Sequence, residues 1–308
     1  MTRVTVRRRV ARHTPGERTS HREDLLAGEE PLELRVGGRS LAVTMRTPGH
    51  DIELATGFLV SEGVVTSGEQ VSTARYCAGS SGPPGQGENT YNVLDVRLAP
   101  GVAAPDPTTA REFFTSSACG LCGKSSIDAV RTRSAFTVDA DPLTVDAALI
   151  TALPDRLRSA QTVFDRTGGL HAAGIFDGRT GEPLVVREDV GRHNAVDKVV
   201  GWAAVRGMLP LRGAVLVVSG RASFELTQKA VMAGIPMLAS VSAPSSLAAE
   251  LAEESGLTLV GFVRDRSMVV YTGDHRVTES GTASGSESGR ESVTEPATGS
   301  ASRAGDAA

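Results

Sequence analysis

The sequence predicts an α/β fold, on three observations. Apolar runs of strand length alternate with amphipathic helical runs through the second half of the chain. Glycine stands where the predicted helices should stop. The last two β-like runs adjoin each other, as an antiparallel pair would.

Each element has a local cause. Leu32, Leu34 and Val36 alternate with polar residues, Gly37-Gly38 follows, and Leu41, Val43 and Met45 alternate again. Two such runs around glycines that tolerate positive φ predict a hairpin. Asp51 opens a predicted helix over residues 51–62, stopped by Gly63. Residues 78–90, rich in Gly, Ser and Pro, read as a mobile loop, and residues 92–98 as a strand. Farther on, residues 170–176 and 184–186 read as strands joined by a turn over 178–181. Residues 194–204 are predicted helical, with Val196, Val199, Val200 and Ala203 on one face. Residues 214–218 form a buried-type strand, 223–233 a helix stopped by Gly234, and 235–241 the next strand. Pro244-Ser245-Ser246 caps a helix closed by Gly256, and runs over 257–263 and 268–271 finish the sheet.

The expected organisation is a polar arm over residues 1–24, an α+β subdomain over 25–117, and a connecting loop over 118–142. An α/β domain over 143–273 and a tail over 274–308 complete it. The arm carries Arg3, Arg7, Arg8, Arg9 and Arg12. The tail is Ser, Gly, Thr, Ala and Glu with almost nothing to bury, so both ends are expected to be disordered.

Composition excludes several function classes. The formal net charge is −4, which offers no general field for nucleic acid. No apolar run reaches the ~18 residues of a membrane span, and no apolar stretch follows the arginines as in an export signal. Three cysteines in 308 residues cannot make a disulfide framework, so a reduced cytoplasmic protein is expected.

The chemistry concentrates in residues 116–126, where Cys119-Gly-Leu-Cys122 sits among small residues. Packing is a poor reason for two thiols in a glycine-rich loop. Three readings stay open on the residues alone. A zinc site needs four ligands, and beyond this pair the chain has only Cys77 and histidines such as His171. A dithiol redox pair should follow a strand, and residues 108–114 are not strand-like. A sulfur-carrying nucleophile needs a thiolate. A free thiol near pKa 8.5 is only about 7% ionised at pH 7.4, and a fall to about 7 raises this to roughly 70%. That change needs about 2 kcal/mol, which Lys124 and nearby backbone N–H groups could supply.

Two lookalikes fail. Ala118 replaces the first glycine of a phosphate-binding P-loop, and no apolar strand precedes it. The zinc deaminase signature is inverted in order, and its glutamate is replaced by Ala173 after His171-Ala172.

A second polar cluster spans residues 187–198 and includes Asp189, Arg192, His193, Asp197 and Lys198. Residues 219–223 and 242–246 form similar strand-to-helix loops. Such loops in open α/β sheets bind anions at the carboxyl ends of strands. Arg192, His193, Ser219 and Arg221 are therefore candidate contacts for a phosphate-bearing ligand. The competing reading makes Asp189, Arg192 and Asp197 structural caps and ion pairs.

From about Glu33 to Thr272 the chain resembles the FdhD family of formate dehydrogenase accessory sulfurtransferases. The resemblance rests on Thr56-Gly-Phe-Leu59, Cys119-Gly-Leu-Cys122-Gly, Thr167-Gly-Gly-Leu-His171 and Glu188-Asp-Val-Gly-Arg-His193. It continues in Ser219-Gly-Arg-Ala-Ser-Phe-Glu225 and Leu257-Thr-Leu-Val-Gly-Phe262.

The resemblance implies a sulfurtransferase that receives sulfur from a cysteine desulfurase as a persulfide on Cys119, with Cys122 as auxiliary thiol. It implies delivery to the molybdenum cofactor, bis(molybdopterin guanine dinucleotide), for formate dehydrogenase. It further implies a cofactor stretch over Phe262, Val263, Arg264, Asp265, Arg266 and Ser267, a second domain like the cytidine deaminase fold, a homodimer, and no metal of the protein's own. The alternative is a non-catalytic cofactor chaperone whose cysteines hold a metal or a partner.

Overall fold

A computed structural model describes residues 4–77, 91–105 and 134–279. The chain begins with an antiparallel hairpin, β1 (Thr5–Arg12) and β2 (Ser20–Ala27). Next come β3 (Glu30–Val36), β4 (Arg39–Arg46), helix α1 (Asp51–Ser61), β5 (Val71–Tyr76) and β6 (Val93–Leu98). These four strands form one sheet in the order β4-β3-β6-β5, parallel only between β3 and β6. Gly37 and Gly38 both have positive φ, as the predicted two-residue hairpin turn requires.

The remaining elements are β7 (Val145–Asp146), α2 (Ala147–Ser159), α3 (Phe164–Thr167), β8 (His171–Asp177), β9 (Pro183–Asp189) and α4 (Arg192–Val205). They continue with β10 (Ala214–Val218), α5 (Phe224–Met232), β11 (Met237–Ser240), α6 (Ser246–Ser255), β12 (Thr258–Arg264), β13 (Ser267–Thr272) and β14 (Val277–Thr278). A six-stranded sheet runs β13-β12-β11-β10-β8-β9. The pairs β10–β11 and β11–β12 are parallel, and the last two strands pair antiparallel as expected.

Strand alternation gives this sheet two buried faces. Val215, Val217, Met237, Ala239 and Val260 meet Ile150, Leu153 and Leu157 of α2. Leu216, Val218, Leu238 and Leu259 join the apolar residues of α4, α5 and α6 on the other face. That second cluster also contains Leu32, Leu54 and Leu94, so the two sheets share one core.

The contact that joins them is the crossing of α1 over α4. A methyl group at Gly57 would run into the Asp197 carbonyl and the Gly201 amide, and one at Gly201 into the Glu53 carbonyl and the Gly57 amide. The two backbones touch because neither position has a Cβ. Helix α4 lies between α1 and strands β8 and β9, which explains why ten of its fourteen residues are buried.

Two expectations about the ends are corrected. The arginine-rich arm is not structureless: residues 5–27 pair as β1 and β2, with Arg7 beside Glu23 at 3.6 Å. Its polar composition hid the pairing, because a ribbon exposed on both faces has no apolar stripe to read. Nor does the folded region end at 273. Arg276 is 1% exposed, and it donates to the carbonyls of Val138, Asp139, Asp141 and Gly256 and to Thr258 Oγ1. Val277 and Thr278 then pair with β7. Helix α2, strand β5 and the β7–β14 pair are elements that the sequence patterns did not single out. Residues 78–90 and 280–308 lie outside the described residues.

Candidate functional site

Strands β9, β10, β11 and β12 run in one direction and end at one edge of the six-stranded sheet, where β8 begins. The strand-to-helix loops named from the sequence therefore meet there, and hydrogen bonds tie each to the next. Ser219 N–H donates to the Ala172 carbonyl at 3.0 Å, and its Oγ accepts from Ala172 N–H at 2.9 Å. Ser240 Oγ donates to the Gly220 and Ser242 carbonyls at 2.7 and 2.9 Å. Ser245 N–H reaches the Ala222 carbonyl, and Phe262 N–H reaches the Ser242 carbonyl.

The polar cluster at the start of α4 divides into two kinds of residue. Asp189 and Asp197 are structural, as the competing reading held. Asp189, fully buried, accepts from Gly191 N–H, Asn194 Nδ2 and Thr47 N–H and pairs with Lys198 at 2.6 Å. Asp197 pairs with Lys229 at 2.7 Å and accepts from Ser61 Oγ at the same distance. Lys198 also donates to the Thr47 carbonyl, so this network fixes the first turn of α4 against the smaller sheet.

Arg192 and His193 are different. Among the described residues, the buried atoms Arg192 Nε, His193 Nε2 and Ser223 Oγ have no hydrogen-bond partner. Buried polar atoms are nearly always paired, so Arg192 Nε is the clearest candidate here for a ligand contact, His193 and Ser223 standing beside Glu225. His193 Nε2 lies 3.6 Å from Glu225 Oε2. Burial pushes the Glu225 carboxyl up, but His193 and Ser223 outweigh it and hold it at about 2. His171 is pushed below the usual imidazole range by burial and by the nearby charges of Arg192 and His193. Glycine at 220 leaves this region open: its missing side chain faces His171 Nδ1 and Arg192 Cδ.

Beside these loops is a cavity of about 600 Å³, within the range of small-molecule and cofactor sites. His171, Ser219, Val263, Arg264 and Asp265 line it from the sheet edge. The last three belong to the predicted cofactor stretch, which the backbone sets apart. Phe262 has a φ of 52°, unusual for a bulky residue, and the β12–β13 register shifts here. As a result Phe262 faces outward at 37% exposure while Val263 is fully buried. Arg192, His193, Phe262, Arg266 and Ser267 are not among the lining residues, and neither is Arg221, which is exposed. Cys119, Cys122 and Lys124 lie outside the described residues.

The opposite wall is one that the sequence patterns did not find: Leu157 and Arg158 of α2, then Gln161 and Phe164. Ile150, Leu153 and Leu157, at helical spacing, were the signal available for that helix.

Comparison with known proteins gives a consistent picture. The model of the FdhD/NarQ family matches residues 27–278. The sulfur carrier protein FdhD of Streptomyces avermitilis is 60% identical over 278 residues, 90% of this chain and 97% of that protein. The protein of the same name from Mycobacterium tuberculosis is 58% identical over 275 residues, 89% and 99% of the two chains. A solved structure from Desulfotalea psychrophila, provisionally described as a formate dehydrogenase accessory protein, superposes with a TM-score of 0.67. It covers 90% of this chain and all of that one at 22% identity, a likeness of fold.

Proposed function

Because the chain belongs to the FdhD/NarQ family, we propose that it is a sulfur carrier serving formate dehydrogenase, with Cys119 as the sulfur-bearing residue. The observation that carries this reading is the 60% identity, over nearly the whole chain, to a protein named as a sulfur carrier. In chemical terms the Cys119 thiolate attacks the outer sulfur of a persulfide on a cysteine desulfurase. The donor S–S bond breaks, the donor cysteine leaves as thiolate, and Cys119 becomes a persulfide. Attack of Cys122 on the Cys119 sulfur then releases hydrosulfide and forms a Cys119–Cys122 disulfide. The released sulfur is reduced by the two electrons the thiols lose, and a dithiol reductant must reopen the pair.

The acceptor in this reading is the molybdenum of bis(molybdopterin guanine dinucleotide). The residues present fit the phosphate-bearing part of that cargo. Arg192 offers a buried Nε without a hydrogen-bond partner, and Ser219, His171 and Arg264 edge a cavity of suitable size. Cytoplasmic location, a homodimer and passage of the cofactor to the dehydrogenase belong to the same proposal. Among the described residues, no helix is long and apolar enough to cross a membrane.

The test is mass spectrometry of the protein after incubation with cysteine and a desulfurase. The native chain should gain one sulfur atom. Cys119→Ala should lose that gain and the ability to mature formate dehydrogenase in cells lacking the native protein. Cys122→Ala should still load sulfur while maturing the enzyme less well. Normal loading in Cys119→Ala overturns the assignment. Equal loss in both variants with one zinc bound per chain points instead to a metal-holding chaperone.

A further inference from the structure

The β1–β2 ribbon contributes no residue to either core cluster or to the cavity lining, and it lies almost wholly ahead of the residues that the family model matches. Its charge opposes that of the chain. Six arginines, Arg7, Arg8, Arg9, Arg12, Arg18 and Arg22, stand against Glu17, Glu23 and Asp24, in a protein whose formal net charge is −4. Arg7 and Arg22 lie beside Glu23 and Asp24, whereas Arg8, Arg9 and Arg12 are exposed and have no ion pair among the described residues. Val6 and Leu26, opposite each other on the ribbon, are each 40% exposed.

The outer edge of β1 adds free backbone groups to this charge. Val4 accepts from Gly28 N–H, which makes these two a hydrogen-bonded pair. Antiparallel ladders alternate, so Val6, Arg8, Val10 and Arg12 bond to β2 while Thr5, Arg7, Arg9 and Ala11 turn their N–H and C=O groups outward. Among the described residues, no strand covers that edge. Charge on an edge strand commonly keeps other chains away, but the exposed Val6 and Leu26 beside these arginines do not serve that end. Outward carbonyls repel phosphate and complement a peptide strand, which favours a polypeptide over a nucleic acid. We propose that β1 is a docking strip to which a partner protein adds an acidic strand, its carboxylates facing Arg8, Arg9 and Arg12. The base of the ribbon adjoins the cavity: a methyl group at Gly169, which lines it, would stand 3.8 Å from the Ala27 side chain. A partner docked there is held beside whatever ligand the cavity carries.

The experiment is a fluorescence-anisotropy titration of the full chain with a labelled peptide of alternating glutamate and threonine, eight residues long to match β1. The native chain should bind it and should not bind the same peptide with lysine in place of glutamate. Arg8→Gln with Arg12→Gln should weaken binding roughly three- to tenfold, as for loss of two cross-strand ion pairs. Ala11→Pro removes one outward N–H and keeps every arginine, so it should weaken binding about fivefold. An N-methylated peptide has the same carboxylates without amide donors. It should also bind more weakly, and it decides the same point if proline prevents the ribbon from forming. Undiminished binding of the N-methylated peptide overturns strand addition. Equal binding of the glutamate and lysine peptides, or no loss in the double arginine variant, overturns the role of the arginines. Tighter binding of a DNA oligonucleotide of equal charge overturns the choice of partner and assigns the ribbon to nucleic acid. No binding of the glutamate peptide overturns the proposal outright and leaves the arginines as guards of an exposed edge.

Discussion

Glu53 ties helix α1 to strand β9 of the larger sheet through a paired contact with Arg187, Nε to Oε2 at 2.7 Å and a terminal nitrogen to Oε1 at 3.0 Å. Burial pushes its carboxyl up, yet His50 and Arg187 outweigh burial and hold it at about 2, against an ordinary 4.5. A folded value below the unfolded one stabilises the protein above about pH 4.5, and that contribution is lost as pH falls toward 2. Glu53→Gln should cost on the order of 2–3 kcal/mol at neutral pH and flatten the decline in melting temperature across that acid window. Melting curves from pH 7 to 3 measure this, and a variant that keeps the native acid profile contradicts the assignment. Residues of this kind were legible only in part. The Glu188-Asp-Val-Gly-Arg-His193 cluster was found from its density of charge, but the pairing of Asp189, in contrast to the unpaired Arg192 Nε, depends on Thr47 and Lys198. No local pattern shows such partners.

Among the elements, the crossing of α1 and α4 is the most demanding contact. A methyl at Gly201 would meet backbone atoms, which cannot rotate away, so Gly201→Ala should destabilise by about 3 kcal/mol. At Gly220 the nearest atom to an added methyl is 3.6 Å away, an ordinary contact, so Gly220→Ala should leave stability nearly unchanged. Chemical denaturation of the two variants checks the contrast, and equal effects would mean that the crossing can slide. Elements with strong periodicity were readable from the sequence: β10, α5 and α6 fall where apolar spacing and the glycines at 234 and 256 put them. The β1–β2 ribbon was not, since exposure on both faces removes the alternation by which strands are recognised. Nor was the break in β12 at Phe262, where a left-handed residue turns one side chain outward and buries the next. A run of apolar residues reads the same with or without it.

At the scale of the whole molecule, the folded region closes on Arg276. Its guanidinium is held by backbone carbonyls from residues 138–141 and 256, so one side chain secures the approach to α2 and the end of α6. A chain ending at Gly273 should therefore melt roughly 6–12 °C below one ending at Glu279, if the lost hydrogen bonds are worth about 3 kcal/mol. Differential scanning calorimetry of the two lengths decides this, and coincident transitions would make the contacts of Arg276 dispensable. The sequence suggested an earlier end because its composition turns polar near residue 274, and one buried arginine cannot change an average. The crossing of α1 over α4 also governs how the protein is made. Helix α1 is complete once residue 61 has been synthesised, but the surface it packs against ends at Val205. At about 5–20 residues per second, the ribosome needs roughly 7–30 s to supply the intervening segment. Throughout that interval Leu54, Leu59 and Val60 lack the α4 residues that complete their burial. The nascent N-terminal half thus keeps part of its apolar surface uncovered until α4 emerges, and slow translation between residues 61 and 205 lengthens that exposure.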